Sequence, residues 1–589
     1  MKEQNSLLSN SKRRNIGLRS NYHWRCCVLS KSALLIMCWN LFITILIAQW
    51  LDTSNYLLMS KLRDKTKLQI QTVTPAFLSF LAILYFFFPL SGYLADIRCG
   101  RYKTVTNSLW LIFWSALFLT IGACALFLTT SYLSKNVTSN HSVFIVTITL
   151  VAVGVGLPTV SAALLLLTSY VGFSANIIQF GMDQLLDSPS EDLSIFIHWF
   201  VFTYNMGLAL SQITWTYYDI RHNIHVLPIP IILIIVLLGV SLCIVRHKRN
   251  WFLIEPGSRN PYKLVYKVIK FAAQHKSPIH RSAFTYCEDE LPSRMDLGKE
   301  KYGGPFTTEQ VEDVKAFLGI LWVILTLGPI FTVEVAVSRM LFVFPVHLKM
   351  PLKKQTPLFY LKHYILLGGF PKLFITVFLP LYLCILRPFI HRYIPGMLKR
   401  IGLGTILFLL SSISILLTDV LGHVTSNNQV CFLNIAGSSS PQLNISVWYL
   451  ILPYTLNAIG YIFLYTAIFE FICAQGPRAM KGLLVGILFT VEGIFQLIGV
   501  IILVPFTLWK FETSFPSCGF VYYLTNILVA LIGLVAYICS SRRYQYRQRD
   551  EPDNTYRYAE EYYDRDQDEL ESSYDYSNDH DHLNVHSLN

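Results

Sequence analysis

Glu334, Lys372 and Glu492 each stand inside a long apolar run, where a charge is expensive and is kept for a purpose. Each needs a counter-charge, a wet cavity or a shifted proton affinity. An acid held in a cavity of low dielectric can bind and release protons near neutrality, so Glu334 and Glu492 are the candidates for proton handling. Lys372 has three readings: a structural ion pair with an acid, the switchable partner of a proton-binding acid, or an anchor for a carboxylate. Arg339 lies too close to a membrane boundary to count, because its long stem can reach the interface. A lone His198 is read as a satisfied structural residue. No paired nucleophile and base, metal-ligand cluster or phosphate loop occurs, so no catalytic residue, metal or cofactor is expected, and the chain does not read as an enzyme.

The elements that must position these charges are membrane helices. The chain has 589 residues, 53% of them hydrophobic, and 14% charged where soluble domains carry about 25%. Its mean hydropathy is +0.45. A bilayer core about 30 Å thick needs about 20 apolar residues per helix. Such stretches fall near 32–51, 74–95, 106–130, 157–179, 196–217, 226–245, 317–342, 361–386, 402–421, 447–470, 483–505 and 521–540. They are called spans one to twelve below. Residues 143–179 are long for one span, but two would invert everything downstream, so one span with a luminal extension is expected. The expected organisation is an N-terminal tail (1–31), a six-helix bundle (32–245), a mixed-charge linker (246–316), a second six-helix bundle (317–540) and a polar tail (541–589). The fold class is all-α and polytopic. No small-residue cleavage site closes the first apolar run, so it reads as span one and not as a signal peptide.

An even number of spans puts both termini on one side. The clusters Arg98/Arg101/Lys103, Lys399/Arg400, Arg478/Lys481 and Arg542/Arg543 lie on that side, which the positive-inside rule makes cytosolic. Lys61, Arg63, Lys65 and Lys67, and Lys353/Lys354, run against it. The sequons at Asn136, Asn140 and Asn444 decide the matter, since all three fall opposite, where glycans attach. Cys431 and Cys518 both fall in non-cytosolic loops, where a disulfide is open, although spacing alone proves no bridge. The net charge of +12 points to neither nucleic acid nor an acidic partner in particular and suits cytosolic loops, while the bases that open the C-terminal tail can meet anionic membrane lipid. Glu3-Gln-Asn-Ser-Leu7-Leu8 has the Glu-x-x-x-Leu-Leu form of a sorting signal read by a clathrin adaptor, which favours an endolysosomal membrane over the plasma membrane. The C-terminal tail, charged and Tyr-rich, reads as disordered.

After span two comes Gly92-Tyr-Leu-Ala-Asp96-Ile-Arg98-Cys-Gly100-Arg101-Tyr-Lys103, which resembles the signature loop of the major facilitator superfamily. Asp96 can there pair with basic residues or with a helix end at a cytosolic gate. Four further segments narrow the resemblance: Phe180-Gly-Met-Asp183-Gln184; Phe196 to Gly207 with Asn205-Met-Gly207; Gly303-Gly-Pro-Phe-Thr-Thr-Glu-Gln-Val-Glu-Asp-Val-Lys-Ala316; and Glu470-Phe471 with Gly476-Pro-Arg478-Ala-Met-Lys481. Together they resemble the proton-dependent oligopeptide transporter family, and within it the peptide/histidine branch, over roughly residues 30–540. The resemblance implies two six-helix bundles rocking about a midplane cavity. It also implies transport of small peptides, histidine or related solutes with protons, and gating roles for Asp96, Arg101, Asp183, Glu470 and Arg478. Of the family's cavity residues, Tyr85 and Asn205 match, with a packed aromatic as the alternative for Tyr85. Most cavity charges do not. The Glu-x-x-Glu-Arg of span one is replaced by uncharged residues around Phe42 to Leu46. Ser174 stands for a Lys, Pro371 for an Asn or Asp, and Tyr461 for a Glu. The rival to a transporter with a relocated site, with Tyr85, Asn205, Tyr461 and Lys372 around the substrate, is a non-transporting relative that serves as an endolysosomal scaffold.

Overall fold

The computed structural model describes residues 34–47, 85–136, 165–185, 190–221, 228–254, 261–275, 293–334, 361, 364–365, 368–390, 393–425, 446–508 and 520–546. Among them eight helices are long and apolar enough to cross a membrane, and three shorter apolar helices, Leu34–Ile47, Ile232–His247 and Phe370–Leu386, occupy the positions of spans one, six and eight. The one β feature among the described residues is an isolated bridge between Lys299 and Phe306. The protein is therefore an all-α polytopic membrane protein. Asn140, Asn444, Cys431, Cys518, Glu3, Leu7 and Leu8 lie outside the described residues, and Asn136 is the last residue of the span-three helix Arg101–Asn136.

Several helices run past their apolar stretches. Span three covers Arg101–Asn136 where 106–130 is expected, and span seven begins at Thr308, well before 317. The reason at span seven is local. The Thr307 hydroxyl accepts from the Gln310 amide while the Gln310 side chain accepts from the Thr307 amide, so two of the first turn's orphan donors are satisfied in the cytosolic approach. The linker also holds a helix that hydropathy alone does not mark, Pro261–Gln274. It buries Val265, Val268 and Ala272 on one stripe and carries Lys263, Lys267 and Lys270 between them.

Within the first half, span three packs on span six; within the second, span nine packs on spans ten and twelve, and span seven on spans eleven and twelve. Span one is tied to span six by Ser241 Oγ donating to Asn40 Oδ1 at 2.9 Å. Among the described residues, contacts between the halves include spans two and eleven, five and eight, and five and ten. Spans two and eleven meet backbone to backbone. A Cβ added at Gly92 would lie 2.3 Å from the Gly482 carbonyl oxygen, so no larger residue fits without moving a helix. Below this contact span two widens into a π turn over Ala95–Cys99 and stops at Gly100, whose φ of 73° is open to glycine and strained for other residues.

Candidate functional site

The turn after span two aims two side chains at neighbouring spans. Arg101 Nη1 donates to both Asp183 oxygens at 2.7 Å, and its Nε and Nη2 donate to Asp96 Oδ1 at 3.3 and 3.2 Å. Arg101 Nη2 also donates to the Arg478 carbonyl at 2.9 Å, across the divide between the halves. Asp96 Oδ2 accepts from the Leu483 amide at 3.1 Å, in the first turn of span eleven, where the helix presents unpaired N–H groups. Asp96, Arg101, Asp183 and the Arg478 backbone thus form one latch. Glu470 stands apart from it.

Glu470 holds a second crossing. Its carboxylate is ion-paired with Arg400 of span nine and accepts from Ser194 Oγ of span five at 2.5 Å. His198 Nδ1 lies 2.8 Å from the Ser194 carbonyl and 3.8 Å from Glu470 Oε1, and its ring stacks on Tyr382 of span eight at 5.7 Å. The Nδ1–H tautomer fits the carbonyl contact. All four polar residues are buried. Arg400, which reads in the sequence as one more cytosolic base, is here a buried partner, and Ser194 carries no sequence signal beyond its place before the span-five motif.

The third cluster lies deep in the second half. Gln496 Nε2 donates to Glu334 Oε2 at 2.8 Å and to Glu492 Oε1 at 3.3 Å, so one amide bridges the two acids of spans seven and eleven. Tyr465 OH donates to Glu334 Oε1 at 3.4 Å, and Tyr461 stacks on Tyr465 with centroids 4.2 Å apart. Glu492 is 7% exposed, and its Oε2 is buried without a hydrogen-bond partner. No ion pair reaches either acid among the described residues. Lys372 lies in the first turn of the span-eight helix Phe370–Leu381. From the first half, Asn205 approaches Tyr461, and the Tyr85 ring stacks on Phe88 with centroids 5.4 Å apart. The Tyr85 carbonyl accepts from Thr490 Oγ1 of span eleven at 2.9 Å. Nothing in the sequence marks Gln496 or Tyr465 directly. Each stands four residues from a residue that the sequence does mark, Glu492 and Tyr461, and so shares its helix face.

Span one contributes no charge here. Between Leu34 and Ile47 its buried polar side chains are Asn40 and Thr44, and both donate to carbonyls four residues back on their own helix. Among the described residues no three His, Cys, Asp or Glu side chains converge as a metal site.

Outside the membrane the linker is fastened by a charge cluster. Asp296 accepts from Lys299 Nζ at 2.6 Å, Lys315 Nζ at 2.5 Å and Ser293 Oγ at 2.6 Å, and Lys299 also pairs with Glu312. Partial burial pushes the Asp296 carboxyl up, but the hydrogen bonds from Lys299, Lys315 and Ser293 outweigh it and hold the group well below the usual carboxylate range.

Two helical halves that touch along spans two/eleven, five/eight and five/ten, latched by polar side chains at one end around a deep polar cluster, define a membrane transporter of the major facilitator plan. The chain belongs to the POT family, whose model matches residues 109–514. It is 25% identical over 462 residues to mouse solute carrier family 15 member 3, covering 73% of this chain and 76% of that protein. The rat protein of the same name is 24% identical over 530 residues, covering 81% and 86%. Among solved structures, the POT family transporter PepTSo superposes with a TM-score of 0.56 at 16% identity, covering 88% of this chain and 99% of that one. A POT family transporter solved with 5-aminolevulinic acid superposes with a TM-score of 0.53 at 14% identity, covering 87% and 96%.

Proposed function

We propose that this transporter moves small peptides, histidine or related solutes together with protons, and that its proton site has moved from span one to the Glu334–Gln496–Glu492 cluster. The observation that carries this reading is the bridge itself: a buried and a half-buried carboxyl joined through one amide, with no ion pair to either among the described residues. Two ionised carboxylates so placed repel each other, so a proton is held between them in at least one state of the cycle. The solute lies against Tyr85, Asn205 and Tyr461, with Lys372 on span eight as the anchor for a substrate carboxylate. Peptide-like ligands are named for relatives of this fold, 5-aminolevulinic acid for one and alafosfalin for another. The latches at Arg101 and Glu470 favour a working gate over a scaffold that has given up transport.

Glu334→Gln and Glu492→Gln test the cluster in proteoliposomes. Loss of the coupling acid cuts pH-driven accumulation on the order of a hundredfold, the usual weight of an essential acid–base group, while counterflow exchange survives. Full pH-driven accumulation in both variants would contradict the relocated site. The Glu3-x-x-x-Leu7-Leu8 pattern supports an endolysosomal address reached through a clathrin adaptor. Replacing Leu7 and Leu8 by Ala then sends the protein to the cell surface, and unchanged endolysosomal staining would count against it.

A further inference from the structure

Spans three and six leave a groove of about 610 Å³ between them. Phe113 and Leu117 form one wall, and Val236, Val240 and Ile244 the other. These three span-six side chains are 54%, 54% and 42% exposed, so the groove is open on the face that a bilayer would cover. Gly239 lets the Phe113 ring settle against the span-six backbone, with a would-be Cβ only 3.0 Å from Phe113 Cε2. The lining is apolar throughout, and His247 and Lys248 close it with their carbon atoms, the Lys248 ammonium lying beyond its end over Trp251. From Ile235 to Lys248 a helix rises about 20 Å. That is one leaflet of a core about 30 Å thick, plus the start of the headgroup layer.

The mouth is basic and held in place. Arg246, His247, Lys248 and Arg249 follow one another, and no acid occurs between Pro228 and Ile254. Lys248 Nζ sits 4.8 Å from the centroid of the Trp251 ring, and the Arg249 guanidinium 5.9 Å from that of Tyr102. Trp251 is itself 47% exposed, at the depth where an indole suits the membrane interface.

We propose that this groove binds an anionic glycerophospholipid of the leaflet next to the Arg101 latch. One acyl chain lies along Phe113, Val240 and Ile244, and the phosphate meets His247 and Lys248 with Arg246 and Arg249 beside it. An apolar trough alone would take any acyl chain; the run of bases Arg246 to Arg249 at its mouth, with no acid in the described stretch from Pro228 to Ile254, selects the anionic headgroup. The site lies apart from the acids of spans seven and eleven, and the proposal does not depend on the identity of the solute.

The test uses the full-length protein in phosphatidylcholine vesicles carrying a trace of phosphatidylserine with a diazirine in its acyl chain, and in parallel the same label on phosphatidylcholine. The serine lipid is expected to crosslink to residues 235–248 and to Phe113–Leu117 several-fold more than the choline lipid. Lys248→Glu with Arg249→Glu should bring it down to the choline level. Val240→Trp, which fills the groove from its exposed side, should lower both labels while the protein stays monodisperse. Equal labelling by the two lipids, labelling spread evenly over the other spans, or labelling indifferent to both variants would overturn the proposal. So would displacement by soluble glycerophosphoserine as effective as displacement by the lipid, since that would leave a headgroup site without a chain site.

Discussion

Glu470 shows what a buried charge needs at the scale of single residues. Its partners come from two other helices: Arg400 from span nine, and Ser194 and His198 from span five of the other half. Removing one member of a buried ion pair costs about 3–5 kcal/mol because the other is left uncompensated, whereas replacing both by apolar residues is often neutral. Glu470→Met alone is therefore expected to lower the melting temperature sharply, and Arg400→Met/Glu470→Met to recover most of the loss. Ser194→Ala, which removes one hydrogen bond to a charged group, should cost about 1.5–3 kcal/mol. If the double variant is as unstable as the sum of the single ones, the two charges are not paired in the folded protein. Arg400 could not be read as a partner from sequence, because a base at the start of a span looks the same whether it faces water or a buried acid. The acids Glu334 and Glu492 were legible, since charge within an apolar run is conspicuous. The amide that joins them was not, since Gln496 is neutral and only the packing of span seven on span eleven brings it to Glu334.

At the scale of elements, the segment before span seven behaves as a fastened clip. Asp296 gathers Lys299, Lys315 and Ser293, and the chain between closes through the Phe306 amide to the Gly298 carbonyl at 3.0 Å and the Gly304 amide to the Lys299 carbonyl at 2.9 Å. The Asp296 proton affinity is depressed in the folded state, so its contribution is complete above the unfolded value of about 3.9 and is lost as pH falls through the lower folded value. Hydrogen exchange at Gly304 and Phe306, corrected for intrinsic rates, should hold steady from neutral pH to about 4 and rise below it. Asp296→Asn should exchange roughly fivefold faster at neutral pH, since surface pairs contribute about 1 kcal/mol, and should lose the acid dependence. Protection that is identical in the two proteins would show that the clip is held by its backbone alone. The sequence marks this segment by resemblance and by the Thr307–Gln310 spacing. The linker helix Pro261–Gln274 is hidden from hydropathy, because its three lysines cancel its apolar stripe in any average while the stripe at 265, 268 and 272 survives in the periodicity.

At the scale of the whole molecule, length, hydropathy and loop motifs carried the architecture, because a bilayer leaves the backbone little choice but helix. The boundaries moved where polar caps extend a helix into water, as at Thr308. The larger departure is in charge. Span one carries no charge between Leu34 and Ile47, where the resemblance implies acids, and Asn40 and Thr44 spend their donors on their own helix. The two halves nevertheless keep their crossings and both latches, so the account stands on transport by a relocated proton site. The measurement that bears on this most directly is uptake of labelled histidine and dipeptides by the purified protein in proteoliposomes, with and without an inward proton gradient. The account predicts accumulation above equilibrium with the gradient, collapse of that accumulation by a protonophore, and slow equilibration without the gradient. Uptake indifferent to pH, or no uptake of any of these solutes by protein that remains folded and correctly reconstituted, would contradict it.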